Sequence, residues 1–158
     1  MKSNMKTILL GLILASIVGL AVSARATEYY GATQGFWKNH PELWSDSSLA
    51  YNTGTLVMDV FDADHLVWYM KTYEWTLLDV LNIPFGYCSQ HILIRQAVAA
   101  LLNAQQFGNG YPLTTQQLID TVNAALNSGG LYGLREVKIT LSEELDGYNN
   151  AGLPEGWP

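Results

Sequence analysis

The sequence contains a single cysteine, Cys88, among its 158 residues. An intrachain disulfide is therefore excluded, although small exported domains often depend on such bonds. Basic residues are also scarce, with 8 Lys and Arg against 14 Asp and Glu, and the formal net charge is −6. A chain of this charge repels nucleic acid and anionic membrane surfaces, so we expect no nucleic-acid partner.

The common signatures of catalytic sites are missing as well. The sequence has no G-x-S-x-G nucleophile elbow, no glycine-rich phosphate loop and no H-E-x-x-H zinc motif. Its 3 histidines have no short metal-ligand spacing. The sequence therefore favours a non-catalytic function over an enzyme.

The first 26 residues have the pattern of a cleavable secretory signal. Lys2 and Lys6 precede an apolar run over 8–22, and Ala24-Arg25-Ala26 provides the small-residue site that a signal peptidase cuts. The apolar run is shorter than the roughly 20 residues of a membrane-spanning helix. We expect residues 1–26 to be removed and the protein to be secreted or held at the cell surface, with no membrane span after cleavage. The alternative is that the segment is retained, as a membrane anchor or as a pilin-type hydrophobic spine.

Residues 27–158 are expected to form a single secreted domain. All five Trp, nine Tyr and four Phe lie in this part, which can therefore build an aromatic-rich core. Three of the eight basic residues and none of the 14 acidic ones lie in the signal, so its removal changes the formal charge from −6 to −9.

The hydrophobic pattern predicts a mainly α, compact helical domain with a short minor β component. The clearest helix covers 89–106, which is apolar on most sides and is therefore expected at the centre of the domain. Helices are also predicted from 62 to 73 and from 75 to 83. Residues 55–60 are predicted as a strand, and 27–34 as an extended N-terminal arm that leads into a motif, so that arm and motif together cover 27–40.

Two capping boxes predict where the last helices begin. Thr114 and Gln117 form a T-x-x-Q box before an apolar helix that the glycines at 129–130 should end. Thr140 and Glu143 form a second box, which predicts a short final helix.

Three segments resemble an exported module of microbial surface and secreted proteins. Residues 33–44 read T-Q-G-F-W-K-N-H-P-E-L-W, which is similar to the module's T-Q-G-Y/F-W-K-N-H-P-x-x-W signature. Residues 95–104, R-Q-A-V-A-A-L-L-N-A, and 141–150, L-S-E-E-L-D-G-Y-N-N, resemble its later parts, so the resemblance covers about 31–151. The flanking cysteines that such modules often carry are missing. The resemblance implies an exported surface module and brings no catalytic residue.

The motif itself supplies a candidate surface for binding a ligand or partner, formed by Trp37, Lys38, Asn39, His40 and Trp44. Tryptophan rings stack on sugars or bury at protein interfaces, and a nearby Asn or His can fix the orientation of a ligand. In the alternative interpretation both tryptophans pack in the core and Asn39 caps the helical turn at the following proline.

An acidic cluster supplies a candidate calcium site. Asp59, Asp62 and Asp64, followed by His65, are the densest group of potential ligands, and Ca²⁺ takes six to eight oxygens. Their spacing does not match an EF-hand loop. The alternative is that Asp62 or Asp64 caps the following helix.

Cys88 lies just before the longest predicted helix, where a helix N-terminus stabilises a thiolate. Three interpretations remain open: a small buried hydrophobic residue, an interchain or redox-active thiol, or a nucleophile paired with a histidine such as His91.

Three functions are compatible with these patterns. The first is a non-catalytic secreted or cell-surface structural or adhesion module, which acts by self-association or by binding other surface proteins through the 27–34 arm or the 55–60 edge. The second is a carbohydrate-binding module that uses exposed Trp and Tyr rings on glycans. The third is a small secreted cysteine or carboxylate hydrolase. No cofactor is expected, apart from a possible calcium ion.

Overall fold

The computed structural model describes residues 29–62, 74–83, 88–128 and 135–158, and this part of the chain is mainly helical, as predicted. The helices are α1 (Gln34–Asn39), α2 (Leu77–Asn82), α3 (Ser89–Phe107), α4 (Thr115–Asn127) and α5 (Arg135–Asn149). Short 3-10 turns lie at Pro41–Leu43, Val57–Asp59 and Gly108–Gly110. The β component of these ranges consists of two isolated bridges, Gly31 to Gly152 and Leu56 to Thr76.

Helix α3 is the centre of the fold, because α1, α2, α4 and α5 all pack against it. Its middle is rich in alanine and leucine, which are strong helix formers, and residues 96–104 are all buried. The helix ends at Gly108, whose φ of 52° is easily adopted only by glycine. The predicted central helix at 89–106 is therefore confirmed to within one residue.

Helix α4 begins at the predicted capping box. The Thr114 hydroxyl accepts a hydrogen bond from the Gln117 backbone N–H at 3.2 Å, and the Gln117 side chain accepts one from the Thr114 N–H at 3.0 Å. Its apolar face, which includes Leu118 and Val122, is buried towards α3 and α5.

The predicted last helix is present as α5, but it begins five residues before Thr140, so its predicted start at the second capping box was wrong. The helix starts at Arg135, and Thr140 lies inside it. Lys138, Leu141 and Leu145 continue one buried face at helical spacing, and the packing of this face against α3 extends the helix past the local start signal.

The predicted strand at 55–60 is also wrong. Leu56 makes one bridge to Thr76, and the chain then turns into the 3-10 segment Val57–Asp59, in which Val57 is buried. The Phe61 N–H bonds back to the Val57 carbonyl at 2.9 Å, so the backbone groups are used within the turn. This segment therefore offers no open strand edge to a partner.

The extended N-terminal segment predicted over 27–34 ends one residue earlier than expected, and its backbone is bonded to the rest of the fold. The side chain of Thr33 accepts from the Phe36 N–H at 3.1 Å and starts α1 at once, so the motif residues 34–39 form a helix. Gly31 exchanges two backbone hydrogen bonds with Gly152, at 2.8 and 3.2 Å. A side chain at Gly31 would overlap the carbonyl oxygen of Tyr148, so only glycine permits this close approach.

Several predictions fall on residues outside the described ranges. These are the signal over 1–26, most of the helix predicted over 62–73, and the glycines at 129–130. The helix predicted over 75–83 corresponds to α2, which begins after the N-cap Thr76. Of the helices in the described ranges, none combines the length and the apolarity required to cross a membrane.

Candidate functional site

The two motif tryptophans are buried, each with 1% of its surface exposed. The indole N–H of Trp37 donates to the Asn103 side-chain oxygen at 3.0 Å, and that of Trp44 donates to the Trp37 carbonyl at 3.1 Å. A sugar ring cannot reach either face, so the carbohydrate site predicted on these two residues is wrong. They are packing residues, which was the alternative interpretation.

The remaining motif residues lie at the surface. Lys38 and Asn39 are exposed, and the half-exposed His40 lies 3.0 Å from a Glu42 carboxylate oxygen. His40, not Asn39, is the N-cap of the Pro41–Leu43 turn, so the predicted capping role of Asn39 is wrong.

A buried amide network begins at Asn103, which lies in the middle of α3 with none of its surface exposed. Its side-chain oxygen accepts from the Ala32 N–H at 2.8 Å and from the Trp37 indole. Its amide nitrogen donates to the Ala32 carbonyl at 3.0 Å and to the Asn149 side-chain oxygen at 2.8 Å. All four hydrogen-bonding positions of this side chain are therefore occupied.

The network continues through Asn149 at the end of α5. Its side-chain oxygen also accepts from the Tyr111 hydroxyl at 2.9 Å, and its nitrogen donates to the Gln96 carbonyl and side-chain oxygens at 3.1 and 2.9 Å. Gln96 in turn donates to an Asp146 oxygen at 2.6 Å. Burial raises the pKa of Tyr111 far above its usual value, so its hydroxyl keeps the proton that it donates.

This amide network joins the three segments on which the resemblance rests. Trp37 belongs to the first segment, Asn103 and Gln96 to the second, and Asn149 and Asp146 to the third. Sequence reasoning missed the role of the amides. A signal was present, since Asn103 is the one amide in the otherwise apolar stretch over 97–104, and buried amides require partners. The recognisable motif thus encodes a structural network.

A cluster of aromatic rings lies beside the network at the C-terminal end of α3. The ring centroid of Trp157 lies 5.1 Å from that of Phe107 and 6.1 Å from that of Phe36. His40 packs against Phe36 at 4.6 Å. We define the aromatic cluster as Tyr30, Phe36, Trp37, His40, Phe107 and Trp157. Apart from Trp37 its members are half-buried, so each presents part of a ring to solvent.

An open cleft of about 200 Å³ adjoins the cluster, with Thr33, Phe36, Asn150 and Leu153 among its lining residues. Pockets for drug-sized ligands usually measure about 300–1,000 Å³. The cleft is too small for such a ligand, and the described part of the chain therefore gives no support here for a small-molecule site.

Cys88 is exposed and forms the N-cap of α3, which contradicts the interpretation as a buried hydrophobic residue. Partial burial raises the pKa of its thiol, but the side chain of His91 and the backbone N–H groups of His91 and Gln90 lower it more. The net pKa lies below the usual range. The Cys88 side chain makes no cap hydrogen bond of regular geometry to these N–H groups. We therefore attribute the lowered pKa of the thiol to the positive ends of the N–H dipoles at the start of α3.

Two neighbours complete the thiol site. Lys138 on α5 has 1% of its surface exposed, and its positive charge interacts with the Cys88 thiol. Burial lowers the pKa of Lys138 and the Cys88 charge opposes that change. Ile92, one turn beyond Cys88 on α3, is 43% exposed and is the one exposed large hydrophobic residue of the described ranges. We call Cys88, His91, Ile92 and Lys138 the thiol site.

The predicted calcium ligands are only partly covered by the structure. Asp59 is exposed, and Asp62 accepts a hydrogen bond from the Asn127 amide at 2.6 Å. Asp64 and His65 lie outside the described residues. Within the described ranges, no group of three or more His, Cys, Asp or Glu side chains is placed to hold a metal ion. The calcium site stays a prediction.

No protein-family model matches this chain, and searches of curated proteins and of solved structures found nothing significantly similar to it. The resemblance to the exported surface module therefore rests on the three sequence segments alone. What the structure adds is that the described residues of these segments meet in one network.

Proposed function

We propose that this chain is an exported, non-catalytic structural module of the cell surface or extracellular matrix that acts by self-association. The observation that carries the proposal is the aromatic cluster, which places partly exposed Phe and Trp rings on the outer side of the motif. Aromatic residues are enriched in the cores of protein interfaces.

The surroundings of the cluster suit a protein contact. Lys38, Asn39 and Glu42 form an exposed polar rim, and protein interfaces usually combine an apolar centre with such a rim. The polar groups of Trp37 and Asn103 make their hydrogen bonds inside the fold. The network therefore holds the aromatic rings in place and leaves none of these groups in need of a hydrogen bond from a second molecule. In this proposal the motif folds the domain and also presents its contact surface.

The mechanism differs from the strand addition expected from the sequence. Backbone groups of Tyr30 and Gly31 are bonded to Gly110 and Gly152, and 55–60 forms no open edge. Self-association is therefore proposed to use side-chain packing at the aromatic cluster.

A charge placed in the cluster tests the proposal. Trp157→Glu should abolish concentration-dependent assembly in sedimentation velocity under reducing conditions, because a carboxylate cannot be desolvated cheaply in an apolar contact. The matched control is Tyr51→Glu, since Tyr51 is also a half-buried aromatic residue but lies outside the cluster. Circular dichroism checks that both variants are folded. Equal assembly of the two variants would overturn the proposal.

A second candidate function has one specific observation in its favour. The exposed Cys88 thiol with the His91 side chain beside it is the pairing that a cysteine hydrolase requires. Hydrolysis of an activated ester such as p-nitrophenyl acetate, with turnover that disappears in Cys88→Ser, would support it. A single stoichiometric burst without turnover would show a reactive thiol and no hydrolase.

A further inference from the structure

The segment that follows α5 lies on the surface of the domain. Asn149, the last residue of α5, is 1% exposed, whereas none of the residues 150–158 is buried. Residues 152–158, which we call the exchange segment, lie outside the helices. After the bridge at Gly152, the Trp157 N–H donates to the Pro154 carbonyl within the segment at 3.2 Å. Release of the exchange segment would therefore disrupt no helix and withdraw no fully buried side chain.

Trp157 anchors the exchange segment to the domain. Its ring centroid lies 5.1 Å from that of Phe107, and 6.1 and 6.2 Å from those of Phe36 and Trp37. We call these three rings the acceptor site. They belong to α1 and α3, so they stay in place when the exchange segment leaves. The structure thus contains both an aromatic site on the helices and the side chain that fits it.

The connection between α5 and the exchange segment has the properties of a hinge. Its two residues, Asn150 and Ala151, are exposed, and the Ala151 N–H donates to the Tyr148 carbonyl at 3.2 Å where the chain turns. The open cleft of about 200 Å³ lies beside this turn, with Asn150 and Leu153 among its lining residues. Packing under the turn is therefore incomplete, and little buried surface opposes its opening.

We propose that two copies of this chain exchange residues 152–158, so that Trp157 of each copy fills the acceptor site of the other. The proposal rests on the self-association proposed above and specifies its contact. The acceptor site already holds this segment of its own chain, which identifies the occupant. The Trp157 contacts and the Gly31–Gly152 bridge form again between the copies, so the closed and exchanged forms differ chiefly at the hinge.

A mixture of two variants tests the exchange by native mass spectrometry under reducing conditions. Trp157→Ala keeps the acceptor site, and Phe107→Ala keeps the tryptophan. Each variant alone should assemble roughly tenfold more weakly than the wild type, because each lacks one half of the contact. Their equimolar mixture should form a hetero-pair with one intact contact. Phe36→Ala replaces Phe107→Ala if circular dichroism shows that the latter is unfolded. A contact between two closed copies, each with its own complete aromatic cluster, predicts no hetero-pair.

Ala151→Pro tests the hinge. Proline has no N–H for the Tyr148 carbonyl, and it disfavours a helical conformation at Asn150, whose N–H bonds to the Asp146 carbonyl at 3.0 Å. The closed turn is thereby destabilised and an extended hinge is favoured. Sedimentation velocity should show a several-fold larger fraction of pairs than in the wild type. The matched control, Ala151→Gly, removes no donor and should not raise this fraction.

No hetero-pair in the mixture, or no increase in Ala151→Pro, would overturn the proposal. Its failure can be distinguished from failure of the proposed function. If the wild type assembles but the mixture gives no hetero-pair, self-association stands and the exchange is wrong. If the native wild type is monomeric, but it gives pairs and the mixture gives hetero-pairs after refolding from urea at high concentration, the exchange stands and native self-association is wrong. If neither treatment gives pairs, both are wrong.

Discussion

Replacement of Asn103 by alanine is the most direct test of the buried amide network. The change removes the partner of two buried donors, the Ala32 N–H and the Trp37 indole N–H, and of the Ala32 carbonyl. The Asn149 oxygen keeps one donor, the Tyr111 hydroxyl. A buried donor without a partner costs about 1–3 kcal/mol, so the two donors alone cost about 2–6 kcal/mol.

That loss is a large part of the roughly 5–15 kcal/mol by which a domain is stable. Urea denaturation followed by circular dichroism measures it, and the midpoint should fall sharply in Asn103→Ala. Gln105→Ala is the matched control, because the Gln105 side chain also makes two hydrogen bonds, at 2.8 and 2.9 Å, to the backbone of Tyr51. This site is only half-buried and water can replace the amide, so we expect a loss of about 0.5–1.5 kcal/mol. Equal losses in the two variants would refute the reasoning.

Three further predictions follow from single contacts. Gly31→Ala should lower the thermal unfolding midpoint by the equivalent of about 1–3 kcal/mol, because the added methyl group overlaps the Tyr148 carbonyl; an unchanged midpoint would mean that the close approach is absent. Since the pKa of Cys88 is lowered, its alkylation by iodoacetamide should continue to a lower pH than alkylation of the C88S/S45C variant, whose single thiol lies at the exposed position of Ser45; coincident pH profiles would contradict this. Leu101→Ala, at a fully buried position of α3, should cost about 2–5 kcal/mol in urea denaturation, and a loss below about 1 kcal/mol would place Leu101 outside the core.

The parts of the fold that could be predicted from the sequence are those with local causes. Helix α3 follows from a long apolar run without glycine or proline between 89 and 107, and α4 from the Thr114–Gln117 box together with its apolar spacing. Both signals depend on neighbours within four residues. They are therefore visible without knowledge of the tertiary structure.

The wrong predictions have tertiary causes. At 55–60 a segment bounded by Asn52-Thr53-Gly54 before it and by acidic residues after it suggested a strand, but a single bridge at Leu56 is followed by a turn that buries Val57 against the core. At Thr140 a sequence that can start a helix lies inside one, since packing against α3 extends α5 back to Arg135. A local sequence signal shows which secondary structures a segment can form, and tertiary packing determines which of them it adopts.

The candidate sites show the same division. The contacts of Asn103 with Ala32 and Trp37 join residues more than 60 positions apart, and no local pattern contains them. The exposure of Cys88 likewise depends on its being the cap rather than an interior residue of α3. The short motif could be recognised from the sequence, whereas its structural role required the positions of the second and third segments.

Self-association is the central claim, and native mass spectrometry of the reduced protein over a range of concentrations tests it most directly. The proposal predicts oligomers whose proportion rises with concentration and falls to none in Trp157→Glu. A wild-type protein that is monomeric at every concentration would contradict it.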